Sequence, residues 1–389
     1  MVRSKQHSLI IVGSGITGLS TAYHLEQRGI KNIAIAGPEA SQTSSYKASG
    51  LVAGGTIDNF SRLFHAHGKN TAKELWDLGD KAFDYSFELC DSMNISSHKS
   101  MRYRLITSDH EMTESNVAVS QLQALGFETK FLKQTHVDEI SSERIQGIQQ
   151  DSPRGGFIDP QDLLQKLNER VNCDRISTIS RYKSSRDRLE LYTQDQGKFP
   201  SELMVLANHL NIPDLLPSLK DSIVSFADQW VNINTTEDGC PNKWAEPGAF
   251  YSANHTYEWG VRIGANKWRI GGGRYLRKFA GIEATSADFS DKINQHLVKQ
   301  FLANFSFVKH AEIIGGQGFL DCRPCDELPI IGPMFGEPRI LLSTGYMGSS
   351  LTLGLFAGYC LAELIANGTC DSLPRCVWPE RLRSLPTTF

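Results

Sequence analysis

The chain has 389 residues, 40% of them hydrophobic and 21% charged, enough to bury a substantial core and to build two domains. A net charge of −3 and a pI near 6.4 exclude a general nucleic-acid surface or an anionic-membrane surface as its main business. The opening MVRSKQHSLIIVG sets basic residues before an apolar run, but the run is short, lacks a cleavage site and reads as a strand, so the cytoplasm is the expected location.

Residues 9–18 read LIIVGSGITG, an apolar strand running directly into Gly13-x-Gly15-x-x-Gly18. Gly13 permits the tight turn, Gly15 lets backbone approach a pyrophosphate, and Gly18 lets the next helix pack closely on the strand. That helix's N-terminus supplies free N–H groups and a positive dipole end. Ile16, Leu19 and Tyr23 continue at helical spacing, Gly29 closes the helix, and 32–36 reads as a second strand, which completes a dinucleotide-binding βαβ unit. An acidic residue is expected about 20 residues past the glycines to bind the ribose. The strand ends instead on Gly37, and Glu39, after Pro38, is the residue that would reach the ribose.

A Ser/Gly-rich loop follows over 41–55, where small residues let backbone approach a ligand. The spacing predicts a helix over 62–89, with Leu75, Leu78, Ala82 and Phe83 on one side. His65 and His67 within it face different sides and make a poor metal pair. A strand at 101–107, a helical segment at 114–125 and a strand at 129–132 form a small α/β excursion. Gly155-Gly156-Phe157-Ile158-Asp159-Pro160 marks the return, with Pro160 leading a helix to 170.

Residues 203–207 read as another short buried strand, and 223–273 as antiparallel sheet carrying Tyr251, Tyr257, Trp259, Trp268 and Ile270. Tyr251, Tyr257 and Trp259 line a cage for a cationic amine or, equally, the packed face of that sheet. A helix is predicted over 289–301. The apolar stretch 351–366 is shorter than the roughly 20 residues that span a bilayer and contains Glu363, so it reads as a buried helix stopped by Gly368, not a membrane span. The 8 cysteines show no zinc spacing beyond Cys322-Arg-Pro-Cys325, so reduced thiols and no metal site are expected.

Arg323-Pro324-Cys325-Asp326-Glu327-Leu328-Pro329-Ile330-Ile331-Gly332 leads to a strand at 340–343 and then to Gly345-Tyr346-Met347-Gly348-Ser349, which opens the apolar helix. A second strand–glycine–helix junction aims another helix N-terminus at the ligand. An NAD dehydrogenase has no need of it, whereas FAD is long enough to place its pyrophosphate on one junction and its isoalloxazine on the other.

Over nearly the whole length these residues resemble the D-amino-acid oxidase superfamily of FAD-dependent oxidoreductases, the group of glycine oxidase, sarcosine oxidases and D-amino-acid dehydrogenases. The likeness rests on Gly13-x-Gly15-x-x-Gly18, Ala48-Ser49-Gly50, Ser61-Arg62-Leu63, Gly156-x-Ile158-Asp159-Pro160, Val205-Leu206-Ala207-Asn208 and the R-P…D…L-P-x-I-G segment. It implies an α/β fold in which a Rossmann-like FAD-binding domain (1–90, 151–222 and 312–389) is interleaved with a smaller antiparallel-sheet α+β substrate domain (91–150 and 223–311), the two meeting at a ligand cleft. It also implies hydride transfer from the C–N bond of a small amine or amino-acid substrate to flavin N5.

On that likeness Gly13, Gly15, Gly18, Ser49, Gly50, Gly345, Met347, Gly348 and Ser349 hold FAD, Arg323 forks onto the substrate carboxylate and Arg62 stands close to the flavin; the residue pattern itself adds Glu39 to the FAD set and Tyr257, from the aromatic cage, to the catalytic candidates. Asn208-His209 stands where the superfamily often has glycine, which brings bulk close to the flavin. A cysteine near Cys322 and Cys325 carries covalent flavin in some sarcosine oxidases, but the register differs. The alternatives are a flavoenzyme acting on a protein residue or a tRNA nucleoside, since the Leu-Ala-Asn turn also resembles a tRNA-modifying oxidase, and a flavin-binding partner subunit without catalysis of its own.

Overall fold

Strand β1 (His7–Val12) is buried at nearly every position and hands the chain to α1 (Ile16–Gln27) and β2 (Ile33–Ala36). This is a computed structural model, and it describes residues 7–133, 144–238, 248–255 and 257–384. Next come β3 (Leu51–Ala53), α2 (Phe60–Met93), β4 (Ser97–Ile106), α3 (Asp109–Ala124), β5 (Thr129–Lys133) and β6 (Gly147–Ile158). The chain continues through α4 (Pro160–Arg170), β7 (Asp174–Ile176), β8 (Ile179–Ser184), β9 (Leu189–Thr193), β10 (Lys198–Leu206) and α5 (Ile212–Leu215). Then follow β11 (Ile223–Glu237), β12 (Ala249–Ser252), β13 (Glu258–Gly264), β14 (Lys267–Gly272), α6 (Asp291–Asn304) and β15 (Val308–Pro324). The last elements are β16 (Ile330–Met334), β17 (Glu337–Thr344) and α7 (Leu353–Asn367).

Contacts divide the chain into two units, one of 1–48, 160–225 and 321–389, the other of 49–159 and 226–320. The first is built on a sheet of order β16-β17-β10-β1-β2-β7, in which β17, β10, β1, β2 and β7 run parallel and β16 is antiparallel at the edge. Parallel strands buried on both faces need continuous apolar runs, and Ile10, Val12, Ala34, Ala36, Met204, Leu206, Ile340 and Leu342 supply them to one core. Strand order reverses between β1 and β10, where such folds bind ligands beyond the carboxyl ends of the strands.

The second unit carries a sheet of order β15-β11-β14-β13-β12-β4-β6-β3. One face buries Tyr103, Leu105, Val231, Phe250, Trp268 and Ile270 against Leu297, Phe301 and Phe305. The other carries Ala249, Tyr251, Trp259 and Val261, packed with Leu51, Ala53 and Phe157.

These units differ from the sequence-based boundaries in several places: 223–225 fall in the first unit and 312–320 in the second, and the largest change concerns 49–90 and 151–159. Residues 49–90 and 151–159 belong with the second sheet, because β3 pairs antiparallel with β6 (Leu51↔Phe157) and α2 lies so close to the following loop that a Cβ at Gly79 would sit 1.8 Å from Gly55 O. The second unit is therefore the longer in chain, not the smaller. Its helix α2 starts at an Asn59 cap, whose side chain accepts from Ser61 N, and breaks at Gly68 (φ 79°). No helix among the described residues is long and apolar enough to cross a membrane.

Candidate functional site

In the first unit the two glycine junctions lie on one edge of one sheet. Gly13 has φ +122°, and a Cβ there would lie 2.3 Å from Ala207 O, so the turn leaving β1 admits only glycine beside the end of β10. A Cβ on Gly18 would lie 1.9 Å from Gly13 O, which fixes how closely α1 enters. Gly15 caps α1 in extended conformation without a side-chain cap, and the first N–H groups of a helix have no partner inside it. Ser45 Oγ accepts from Ile16 N at 3.1 Å. The cradle therefore presents backbone donors and no bulk, which fits a pyrophosphate.

At the end of β17, Gly345 (φ +71°) sits where a Cβ would be 2.3 Å from Pro324 Cγ. Met347 and Gly348 also take positive φ, 53° and 84°. The four expected residues Gly345, Met347, Gly348 and Ser349 thus form a turn ahead of α7, whose first helical residue is Leu353. A hydrogen bond of 2.7 Å between Thr17 Oγ1 and Tyr346 OH ties this turn to the first turn of α1, and Ser343 Oγ lies 2.8 Å from the same hydroxyl. Glu39 stands exposed in the loop after β2. Gly37 there (φ +154°) lies against Ser14, whose hydroxyl donates to Pro38 O, so the β1 and β2 turns are joined without a carboxylate.

His209 holds the left-handed backbone conformation that a glycine would favour (φ 56°), at the end of β10. Its Nε2 is 3.0 Å from Asp321 Oδ1, and Cys322 Sγ, buried, is 3.3 Å from Thr344 Oγ1. Burial opposes a charge on His209, but Cys322 and Asp321 outweigh it and raise the imidazole to about 10. The ligating atoms of His209, Asp321 and Cys322 lie within 4.8 Å of one another, the one such group among the described residues. Sequence spacing around Cys322 and Cys325 gave no sign of it, because His209 lies in the turn after β10 while Asp321 and Cys322 lie in β15, far along the chain.

The other expected residues divide between the units. Arg323, in the first, is half exposed and pairs with Glu327 at 3.2 Å. Ser49, Gly50, Arg62 and Tyr257 lie in the second. Ser49 O accepts from Arg269 Nη1 at 2.7 Å, and Gly50 (φ +81°) leaves room for the Phe157 ring, which a Cβ would meet at 2.3 Å. Arg62 forks onto Glu114 with bonds of 2.6 and 2.7 Å, reaches Asp58 at 3.2 Å and touches His255 Nδ1. Burial works against its charge, but Glu114 and Asp58 outweigh it and hold its proton more firmly than usual. Tyr257 is half-buried between the Tyr275 ring at 5.1 Å and the Arg274 guanidinium at 5.2 Å. Tyr251 and Trp259 are core residues of the sheet face, so the packed face, not an open cage, is where those two belong.

A family model described as FAD dependent oxidoreductase (DAO) matches residues 8–364. Among curated protein sequences none matches this chain. Solved structures share the fold at low identity. Glycine oxidase from Geobacillus kaustophilus is 15% identical, covering 96% of this chain and 98% of its own, at a TM-score of 0.80. L-Proline dehydrogenase from P. horikoshii is 14% identical over 98% of each chain at 0.78. Iminodiacetate oxidase from Chelativorans sp. BNC1 is 16% identical over 94% of this chain and 97% of its own at 0.72.

Proposed function

This chain belongs to the FAD dependent oxidoreductase family, and from that premise we propose that it oxidises the C–N bond of an amino acid or secondary amine, giving an imine that water hydrolyses. The observation that carries the reading is the pair of glycine junctions at the ends of β1 and β17, tied together by Thr17 and Tyr346 on the edge where the strand order reverses. The start of α1, where Ile16 N already donates to Ser45 Oγ, and the Gly13 turn would hold the pyrophosphate, and the turn from Gly345 to Ser349 would face the flavin end.

When bound, FAD supplies a hydride acceptor, so this chain needs little acid–base machinery. Its own residues bind and orient. Arg323 is the residue proposed to take the substrate carboxylate: its pair with Glu327 is a half-exposed, within-turn contact of small worth, readily exchanged for a ligand. Arg62 is committed to Glu114 and Asp58 and acts as a positioning residue for the start of α2. Tyr257, backed by Tyr275 and Arg274, offers an aromatic wall. The turn from Gly345 ahead of α7 would place positive potential on the edge of the first sheet, where a reduced flavin would carry negative charge, while the charge of His209 is matched by Asp321.

Turnover with a panel of amino acids and secondary amines, trapping the carbonyl product and measuring released ammonia or amine, tests this reading. One small amine should yield carbonyl and nitrogen products in equal amounts. No product from any small amine, with product from a peptide or a tRNA, would contradict it.

A further inference from the structure

The cluster of His209, Asp321 and Cys322 takes no part in the reaction proposed above, and it lies wholly within the first unit. His209 stands in the short turn after β10, whereas Asp321 and Cys322 are consecutive near the end of β15. A ring nitrogen, a carboxylate oxygen and a sulfur come within 4.8 Å of one another there. These are the three kinds of donor atom that zinc accepts from proteins.

Hydrogen bonds around the cluster hold its members in place. Asp321 Oδ1 accepts from Cys322 N at 2.7 Å and lies 3.0 Å from His209 Nε2, which fixes the carboxyl group. Thr344, the last residue of β17, reaches the other two: its Oγ1 is 3.3 Å from Cys322 Sγ and donates to His209 O at 3.4 Å. Ligands oriented by outer hydrogen bonds of this kind are the rule at metal sites. Cys322 is fully buried, while the His209 and Asp321 side chains keep 24% and 19% exposure. The cluster therefore has a closed side and an open one, through which a hydrated ion can enter.

Charge and donor type select the ion. A carboxylate and a thiolate carry two negative charges, so a divalent cation beside a neutral imidazole leaves no net charge to bury. Calcium and magnesium take oxygen ligands, which the sulfur and the ring nitrogen are not. Ligand atoms around tetrahedral zinc stand roughly 3.3–3.8 Å apart, so side-chain rotation is enough to close the cluster on the ion.

We propose that His209, Asp321 and Cys322 form a binding site for a zinc ion, with water in the fourth position. The ion ties the turn after β10 to β15. The site does not depend on which amine the protein oxidises.

Calorimetric titration of the purified full-length protein with zinc chloride, after dialysis against a chelator, tests it. One zinc should bind per chain and raise the melting temperature. Cys322→Ser, Asp321→Asn and His209→Gly, the last suited to the positive φ there, should each weaken binding by at least about 100-fold. Thr344→Val, which removes only an outer hydrogen bond, should weaken it by about 10-fold. The chain has 8 cysteines, so cadmium is used to identify the sulfur: its ultraviolet thiolate band should vanish in Cys322→Ser and persist in Cys325→Ser.

A wild-type protein that binds no zinc overturns the proposal, and so does binding that survives Cys322→Ser or His209→Gly undiminished. Flavin found covalently fixed to Cys322 overturns it as well, because that sulfur could not then hold the ion. If Cys322→Ser does not fold, His209→Gly and Asp321→Asn decide, undiminished affinity in both being the overturning result. Binding is read without turnover, so this site and the proposed reaction stand or fall separately.

Discussion

Gly13 carries φ +122°, and a methyl group there would lie 2.3 Å from Ala207 O. Gly13→Ala should therefore cost on the order of 3 kcal/mol, combining left-handed strain with the clash, and release FAD, which denaturant melts and the flavin content of the purified variant would read. Arg323→Met tests a different group: KM for a carboxylate substrate should rise by roughly 2–5 kcal/mol equivalent at unchanged flavin content, and unchanged kinetics would remove Arg323 from the site. The glycines were legible in the sequence because their reason is local, a turn that no side chain fits. The partners of His209 were not legible, because Asp321 and Cys322 come from a strand far along the chain. His209 shows this twice: it adds the bulk the sequence implies, yet its backbone keeps a glycine-like conformation and its ring turns to Asp321.

Among the elements, α7 shows how far an apolar pattern reaches. Its burial and its stop at Gly368 (φ 77°) were legible from composition and the glycine, but its partner helix was not. Its actual partner is α1, where a Cβ on Gly358 would lie 2.5 Å from Ser20 Cβ, and Ser20 Oγ donates to Leu355 O at 2.7 Å. Gly358→Val should lower stability by about 1–3 kcal/mol through overpacking, seen as a shift of the urea midpoint at unchanged slope.

The same helix pair sets an acid limit. Burial first, and Arg28 second, lower His24 to about 4 from 6.5, so between those values the unfolded chain binds more protons than the folded one. Stability from His24 is complete above pH 6.5 and is lost as pH falls through 4, and His24→Phe should flatten that limb of the melting temperature against pH.

At the scale of the whole molecule, the discontinuous two-domain plan was legible because one strand pattern resumes after each excursion: β1 and β2 find β10 and β17 only after long detours. The seams were not legible. Residues 49–159 join the second unit through the three-residue β3, Leu51–Ala53, whose pairing with β6 leaves no periodic signal of its own. The family match over residues 8–364 and the two linked glycine junctions together make this a flavin enzyme, and amine oxidation is the reaction proposed for it. The most direct check is the visible spectrum of the purified protein under anaerobic conditions, before and after addition of one amino acid or secondary amine at a time. A flavin spectrum that one such compound bleaches is the predicted result. A bound flavin that no small amine bleaches would contradict the proposed reaction, and a protein that takes up no FAD would contradict the account of the site itself.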